Sequence, residues 1–188
     1  RQRQMCIRDR YNTIDYITMS SAGGATSFGQ LASSGLNGRY GFGGLSNSTR
    51  GIFYGGYPRG GAGGYFASMD YITIASTGNT TSFGSSSAYS GVGGVANATR
   101  GLFISGGDAV NNYNTIIYVT IATTGSAASF GNLNATVPYT IGNSAVSNST
   151  RAVVWGNPST AQGNYVTIAT TGNGVNSVSY THLTLPTI

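Results

Sequence analysis

The sequence repeats a motif about every fifty residues, and this repetition restricts the chain to a few architectures. One motif pairs a tyrosine with a glycine seven residues later, and its tyrosines (Tyr16, Tyr71, Tyr118 and Tyr165) are 55, 47 and 47 residues apart. A second motif, Asn-x-Thr-Arg, places Arg50, Arg100 and Arg151 at spacings of 50 and 51. Solenoid and leucine-rich repeats are shorter, whereas propeller blades run about 40 to 50 residues. The period therefore predicts a propeller blade as the repeating unit.

Each repeat contains four short segments with strand character. The second is a continuous apolar run, as in Leu102–Ile104, so we expect both of its faces to be buried. The third alternates, with aliphatic residues such as Val119 and Ile121 on one face and Tyr and Thr on the other. The predicted strands are Tyr40–Asn47, Val92–Asn97 and Ile141–Asn148 (first), Arg50–Tyr54, Arg100–Ile104 and Arg151–Trp155 (second), Ile14–Met19 and its copies (third), and Thr26–Gln30, Thr81–Gly84 and Ala128–Asn132 (fourth).

The connections between these strands fall into two kinds. A glycine precedes each fourth strand, where we expect a tight turn with positive φ (Gly23, Gly78, Gly125 and Gly172). The segments between second and third strands vary in length, and we predict loops at Gly55–Ala67, Gly106–Asn114 and Gly156–Gly163. These loops should lie together on one rim.

A single blade cannot cover both faces of its own sheet, whereas blades stacked side by side cover each other. Only about three complete repeats are present, too few to close the usual ring. The fold class predicted is therefore all-β: a partial β-propeller, an open arc of about three four-stranded blades with at least one exposed edge.

The two ends of the chain differ from the repeats. Codons chosen for Arg1–Arg10 read on the opposite strand as Ser177–Pro186, and that DNA string resembles a transposon-end adapter used in sequencing libraries. We interpret residues 1–10 and 178–188 as non-native, adapter-derived tails around a fragment of a longer repeat protein, 11–177. The alternative interpretation is a basic N-terminal arm and a C-terminal strand.

Charge and composition argue against several function classes. The formal charge is +5, but the first ten residues contribute +3 of it, so no basic patch for nucleic acid remains in 11–177. That stretch has five Arg and three Asp and lacks Lys, Glu, His and Cys; Cys6 and His182 lie in the tails. Because acid–base and nucleophilic sites usually need those residue types, we expect no enzyme and no cofactor or metal. No apolar run is long enough to insert into a membrane.

The repeat resembles a kelch-type blade. A strand ending in Gly-Gly (Gly55-Gly56, Gly106-Gly107) is followed by a loop, a Tyr-bearing strand and a strand with an aromatic residue (Phe28, Phe83, Phe130). Kelch blades usually have Trp at the position of these Phe residues, and Trp155-Gly156 lacks the second Gly.

The amino-acid sequence of the repeats also resembles that of repeats in structural proteins of tailed phages. This resemblance implies a non-enzymatic virion component of a tail or fibre, in contact with other virion proteins or with a host-surface glycan or protein. A secreted bacterial adhesin or glycan-binding module is the alternative, so the expected location is the virion or the extracellular space. The sequence does not determine the oligomeric state or the ligand.

Three sets of polar residues have a structural and a functional interpretation. The column Arg50, Arg100 and Arg151 either hydrogen-bonds carbonyls of a neighbouring blade or forms a ring of cations for an anion or glycan. Asp15 and Asp70 occupy one column, either as strand-end or turn acids or as a carboxylate pair. The asparagines Asn47, Asn97 and Asn148 either bond their own turns or accept glycans.

Exposed aromatic rings beside amide and hydroxyl groups suit a sugar, although the same residues could pack internally. The predicted ligand-binding loop residues are Tyr54, Tyr57, Tyr65, Phe66, Asp108 and Tyr113.

Overall fold

The protein is all-β and forms a partial β-propeller. The computed structural model describes residues 12–32, 38–58, 63–134, 136, 144–155 and 163–177, which contain strands and no α-helix. The two adapter-like tails lie outside the described residues. The described strands form one two-stranded sheet and three four-stranded sheets, each an antiparallel meander in chain order.

The two-stranded sheet, here called the half blade, comes first and is followed by blades 1, 2 and 3. The half blade is β1 (Thr13–Tyr16) and β2 (Thr26–Gln30); blade 1 is β3 (Arg39–Ser46), β4 (Arg50–Pro58), β5 (Ser68–Thr73) and β6 (Thr81–Ser85); blade 2 is β7 (Gly93–Ala96), β8 (Arg100–Gly107), β9 (Asn112–Thr120) and β10 (Ala128–Asn132); blade 3 is β11 (Ser144–Ser147), β12 (Arg151–Trp155), β13 (Asn164–Thr167) and β14 (Val175–Asn176). By sequence register, β1 and β2 correspond to the third and fourth strands of a blade.

Two apolar cores lie between the blades rather than within them. One core joins blades 1 and 2 through residues such as Ile52 and Phe103. The other joins blades 2 and 3 through residues such as Leu102 and Val154. The expectation for the second strand is confirmed in blade 2, where Leu102–Ile104 are all buried. In blade 3 it is wrong, because no described blade covers the outer face and Trp155 is 54% exposed.

The aliphatic face of the third strand is buried only where a complete blade precedes it. Val119 and Ile121 pack against blade 1. The prediction of a strand over Ile14–Met19 is wrong at its end, because β1 stops at Tyr16 and Met19 is 96% exposed. Among the described residues no sheet precedes the half blade, so nothing covers this face.

The glycines before the fourth strands do not form the tight turns expected of them. The turns lie earlier, as in Ser76, whose amide donates to the carbonyl of Thr73. Gly78 and Gly125 instead run alongside the fourth strand of the preceding sheet, where their amides donate to the carbonyls of Phe28 and Phe83. The expectation of positive φ holds only for Gly78, whose φ of 158° is close to extended, and is wrong for the other three glycines.

The first two loops between second and third strands are shorter than predicted, whereas the strands on either side of the third end where expected. β4 continues to Pro58 because β3 supplies partners as far as Arg39, and β8 continues to Gly107 opposite Asn112. Gly55 and Gly56 allow this continuation, with φ of 77° and 88°. The meander places the described parts of these loops on one rim, while the turns after first and third strands lie on the other. Most of the third loop, 156–162, is outside the described residues.

Candidate functional site

Two of the three recurring arginines join one blade to the next. The guanidinium of Arg50 lies 4.7 Å from the ring centre of Tyr71, in its own blade. Its Nη1 donates to the carbonyls of Ile121 and Ala122 in blade 2, at 3.0 and 2.8 Å. In the same way, Arg100 stacks on Tyr118 and donates to two carbonyls of blade 3. These two arginines therefore connect blades and are not a ring of cations open to ligands.

Arg151 has only the first half of this arrangement. Its guanidinium lies 4.5 Å from the ring centre of Tyr165. Within the described residues, no carbonyl accepts a hydrogen bond from it, because blade 3 is the last described blade. Each ring below an arginine in blades 1 and 2 also meets a buried phenylalanine edge-on: Tyr71 meets Phe83, and Tyr118 meets Phe130. The half blade repeats this pair as Tyr16 and Phe28.

This difference predicts unequal effects for two substitutions in one column. Arg100→Ala removes two hydrogen bonds to blade 3 and a cation–π contact, so we expect a loss of about 1–2 kcal/mol in the free energy of unfolding. Arg151→Ala removes only the stacking on Tyr165, and we expect a loss of about 0.5 kcal/mol. Urea denaturation of both variants measures the difference. Equal losses would contradict the assignment of Arg100 to an interblade contact.

The asparagines of the same motif close their own turns. The Asn47 Oδ1 accepts hydrogen bonds from the amides of Thr49 and Arg50, each at 2.9 Å. Its Nδ2 donates to the Ala98 carbonyl in blade 2. Asn97 repeats both contacts. The asparagines therefore bond their own turns, which is the first of the two interpretations given above. In addition, Asn47 and Asn97 each form a hydrogen bond to the next blade.

Asp15 and Asp70 do not form a carboxylate pair, and Asp70 is not a turn acid. Asp70 lies within β5, is fully buried, and accepts a hydrogen bond from Arg39 Nη1 at 3.0 Å. The same guanidinium also donates to the carbonyls of Gly55 and Ser68. Burial lowers the pKa of Arg39, while the Asp70 carboxylate opposes that shift. The expectation for Asp70 is wrong because a buried cation on the first strand faces it; Asp15 remains exposed.

The expectation that Tyr54 belongs to a ligand-binding loop is also wrong. Tyr54 lies within β4, is 1% exposed, and packs against Phe103 of blade 2 with ring centres 5.0 Å apart. Its hydroxyl donates to the carbonyl of Ser87. Burial raises the pKa of Tyr54 to about 12. The residue therefore belongs to the core between blades 1 and 2.

The raised pKa of Tyr54 predicts that the protein loses stability at high pH. Between its ordinary pKa of 10.0 and its folded pKa of about 12, the unfolded phenol ionises while the folded phenol stays protonated. The contribution of Tyr54 to the free energy of unfolding is complete below pH 10. Above pH 10 it falls by up to about 1.4 kcal/mol per pH unit. Urea denaturation between pH 9 and 12 measures this slope. The Tyr54→Phe variant should have a shallower slope, and an unchanged slope would contradict the assignment to Tyr54.

Three tyrosines of blade 1 form a continuous aromatic surface on the loop rim. Tyr40 and Tyr57 face each other across β3 and β4, with ring centres 3.7 Å apart. Tyr57 in turn lies 5.6 Å from Tyr65. Tyr40 is 43% exposed and the other two are half-buried. A hydrogen bond with Tyr40 raises the pKa of Tyr57. Tyr57 belongs to β4 rather than to a loop, but its ring reaches this rim.

Phe66 supports this surface from below instead of joining it. Its ring centre lies 5.1 Å from the guanidinium carbon of Arg39. Its amide donates to the carbonyl of Gly56, which holds the segment that carries Tyr65 against β4. The predicted loop residue Phe66 is therefore half-buried over the Arg39–Asp70 ion pair.

A second aromatic pair lies on the same rim. Tyr113 belongs to the start of β9 rather than to the predicted loop, and Tyr89 lies in the segment between β6 and β7. Tyr113 stacks on Tyr89 with ring centres 4.6 Å apart and an interplanar angle of 25°. Its hydroxyl donates to Asp108 Oδ2 at 2.8 Å, which raises the pKa of Tyr113. The amides of Val110 and Asn111 donate to Asp108 Oδ1 and lower the pKa of that carboxyl. Asp108 therefore orders the loop and fixes one tyrosine hydroxyl.

The structure brings these two groups together through the backbone. The amide of Gly56, next to Tyr57, donates to the carbonyl of Tyr89. The rim tyrosines are thus five, from two blades: Tyr40, Tyr57, Tyr65, Tyr89 and Tyr113. Sequence reasoning missed Tyr40 and Tyr89 because both lie outside the predicted loops.

The described part of the chain contains no cluster of three His, Cys, Asp or Glu side chains arranged to hold a metal ion. Nor does any helix in the described ranges have the length and apolar character needed to cross a bilayer. No protein-family description matches the sequence. A search of curated proteins likewise finds no significant match.

Proposed function

We propose that this protein is a non-enzymatic binding propeller, a tail or fibre component of a virion, whose tyrosine rim contacts a glycan on the host surface. The observation that carries the binding role is the row of rim tyrosines, because their rings are preorganised by contacts with one another. Tyrosine offers a large, rigid contact area at low entropic cost and keeps a hydroxyl for hydrogen bonding. The virion assignment rests on the resemblance of the repeats to tailed-phage structural proteins.

A neutral ligand suits this rim better than a charged one. Among the residues that the structure describes, the charged groups next to the rings are already satisfied within the protein, since Arg39 is bound to Asp70 and Asp108 accepts three hydrogen bonds. Aromatic faces flanked by hydroxyl and amide groups provide both the apolar and the polar contacts that a sugar ring presents. Asn111 supplies such an amide beside Tyr113, with its Nδ2 3.5 Å from the phenolic oxygen.

Glycan-array screening of the protein, followed by titration calorimetry on a binding glycan, tests the proposal. Tyr57→Ala and Tyr65→Ala should each weaken binding about tenfold or more, and Tyr57→Phe should weaken it less because the ring remains. Trp155→Ala is the control, since Trp155 is an exposed aromatic residue on the face of β12 that points away from blade 2, and therefore away from the rim tyrosines of blades 1 and 2. Absence of glycan binding, or binding unaffected by both alanine variants, would overturn the role of the rim.

The genes that neighbour this one distinguish between a virion component and a bacterial adhesin with the same binding role. Neighbouring tail and baseplate genes in the source contig would support the virion assignment. A secretion signal with a cell-wall anchor in the full reading frame would instead favour a bacterial adhesin and overturn that assignment.

A further inference from the structure

Blade 1 buries an ion pair at two positions that hold uncharged residues in blade 2. The pairing of β5 with β4 and of β9 with β8 gives Asp70 and Ile117 the same position in their sheets. The pairing of first with second strands likewise gives Arg39 and Tyr89 the same position. Replacing a buried ion pair by apolar residues is often neutral or stabilising, and blade 2 folds with uncharged residues here. The blade framework alone therefore does not account for the pair.

The guanidinium of Arg39 bonds to the chain on both sides of the loop between β4 and β5. On the β4 side its Nε donates to the carbonyl of Gly55. On the β5 side its Nη2 donates to the carbonyl of Ser68 at 2.9 Å, and its Nη1 donates to Asp70 Oδ2 at 3.0 Å. A planar cation with several donors in a fixed fork can make these bonds at once, whereas a lysine ammonium is a single point charge.

These contacts lie next to the three rim tyrosines of blade 1. Tyr40 follows Arg39 in β3, and Tyr57 lies two residues beyond the carbonyl that accepts from Nε. Tyr65 is reached through Phe66, whose ring centre lies 5.1 Å from the guanidinium carbon. The guanidinium therefore contacts or adjoins every segment that carries one of these tyrosines.

Tyr65 depends on this arrangement more than the other two tyrosines do. Tyr40 and Tyr57 face each other across paired strands, so the ladder of β3 and β4 holds them together. Tyr65 precedes β5, and its ring lies 5.6 Å from the ring of Tyr57. Without the guanidinium, Phe66 would lose its cation–π contact, and the segment entering β5 would lose the bond at Ser68. We therefore expect Tyr65 to move away from Tyr57.

We infer that Arg39, held by Asp70, is a positioning residue of the tyrosine rim: it keeps Tyr65 beside Tyr57 in the arrangement that binds the ligand. It acts through these rings and does not touch the ligand itself. The inference rests on the glycan-binding role proposed above, since affinity is one of its two readouts. Rings ordered before binding lose less conformational entropy on binding, so the ion pair raises affinity without adding a contact.

The double variant Arg39→Met/Asp70→Leu tests this role, because it removes the guanidinium without leaving an unpaired charge. Calorimetry with a glycan that binds the unmodified protein should show the affinity reduced about tenfold. Arg100→Ala is the matched control, since it loses bonds between blades on the opposite rim, and its affinity should stay within about twofold. Circular dichroism and urea denaturation check that each variant is folded under the binding conditions.

Nuclear Overhauser contacts between the rings of Tyr57 and Tyr65 give a readout that needs no ligand. The unmodified protein and Arg100→Ala should show these contacts. The double variant should lose them and keep those between Tyr40 and Tyr57. Arg39→Lys keeps the charge but not the fork of donors, so it should weaken the same contacts and provides an answer if the double variant does not fold.

The outcomes separate this inference from the binding role on which it rests. If the double variant keeps the contact between Tyr57 and Tyr65, or binds the glycan as tightly as the unmodified protein, the positioning role of Arg39 is overturned. If no glycan binds the unmodified protein, the binding role is overturned instead. The ring contacts then decide by themselves whether Arg39 positions Tyr65.

Discussion

Replacement of Asp70 by alanine is expected to lower the free energy of unfolding by about 3–5 kcal/mol, because it leaves a buried cation without its counter-charge. Arg39 is 5% exposed, and its Nη1 lies 3.0 Å from the carboxylate. Its other acceptors, the carbonyls of Gly55 and Ser68 and the Ser68 hydroxyl, carry no net charge and cannot replace that carboxylate. Urea or thermal denaturation monitored by circular dichroism measures the loss.

Asp15→Ala is the matched control, since Asp15 occupies the same column of the repeat but is exposed. Its loss should stay within about 0.5 kcal/mol. The double variant Arg39→Met/Asp70→Leu should recover much of the stability lost in Asp70→Ala, because no unpaired charge remains. If Asp70→Ala cost no more than Asp15→Ala, the ion pair would not be the source of stability argued above.

Gly84→Ala is expected to cost about 3 kcal/mol, at the upper end of the usual range for overpacking. A Cβ at residue 84 would lie 2.1 Å from the carbonyl oxygen of Gly125, where β6 of blade 1 meets the backbone of blade 2. The backbone of β6 at residue 84 and the backbone at Gly125 are held together, because the Gly125 amide is bonded to the Phe83 carbonyl. Neither segment can therefore move aside alone. The blades must therefore separate to admit the methyl group.

Gly125→Ala tests the other side of the same contact. A Cβ at residue 125 would meet no atom within 4 Å, so we expect the stability to change by less than about 1 kcal/mol. Urea denaturation of the two variants under identical conditions gives the comparison. Similar losses for Gly84→Ala and Gly125→Ala would mean that the close backbone approach is not what requires glycine.

The same close approach recurs at Gly29 and Gly131, which face the carbonyls of Gly78 and Gly172. Both sets of glycines, Gly78 with its copies and Gly84 with its copies, can be identified in the sequence because they recur in each repeat. Sequence reasoning assigned the conformational requirement to Gly78 and its copies, because a glycine between two strands usually marks a turn. The structure assigns the steric requirement to Gly84 and its copies, since only the packed arrangement shows which backbone passes next to which.

The sequence alone was sufficient to determine the all-β class, the four-stranded unit and the residues that recur at blade junctions, such as Arg50 and Tyr71. Repeats carry this information because the same nearest-neighbour contact is made at every junction and therefore imposes the same residue each time. Only the tertiary structure determined the contacts and burial of residues that have no counterpart in the other repeats. Arg39 pairs with Asp70 and Tyr54 lies in a core because strands distant in sequence meet there, and no local pattern records which side chain a single residue will face.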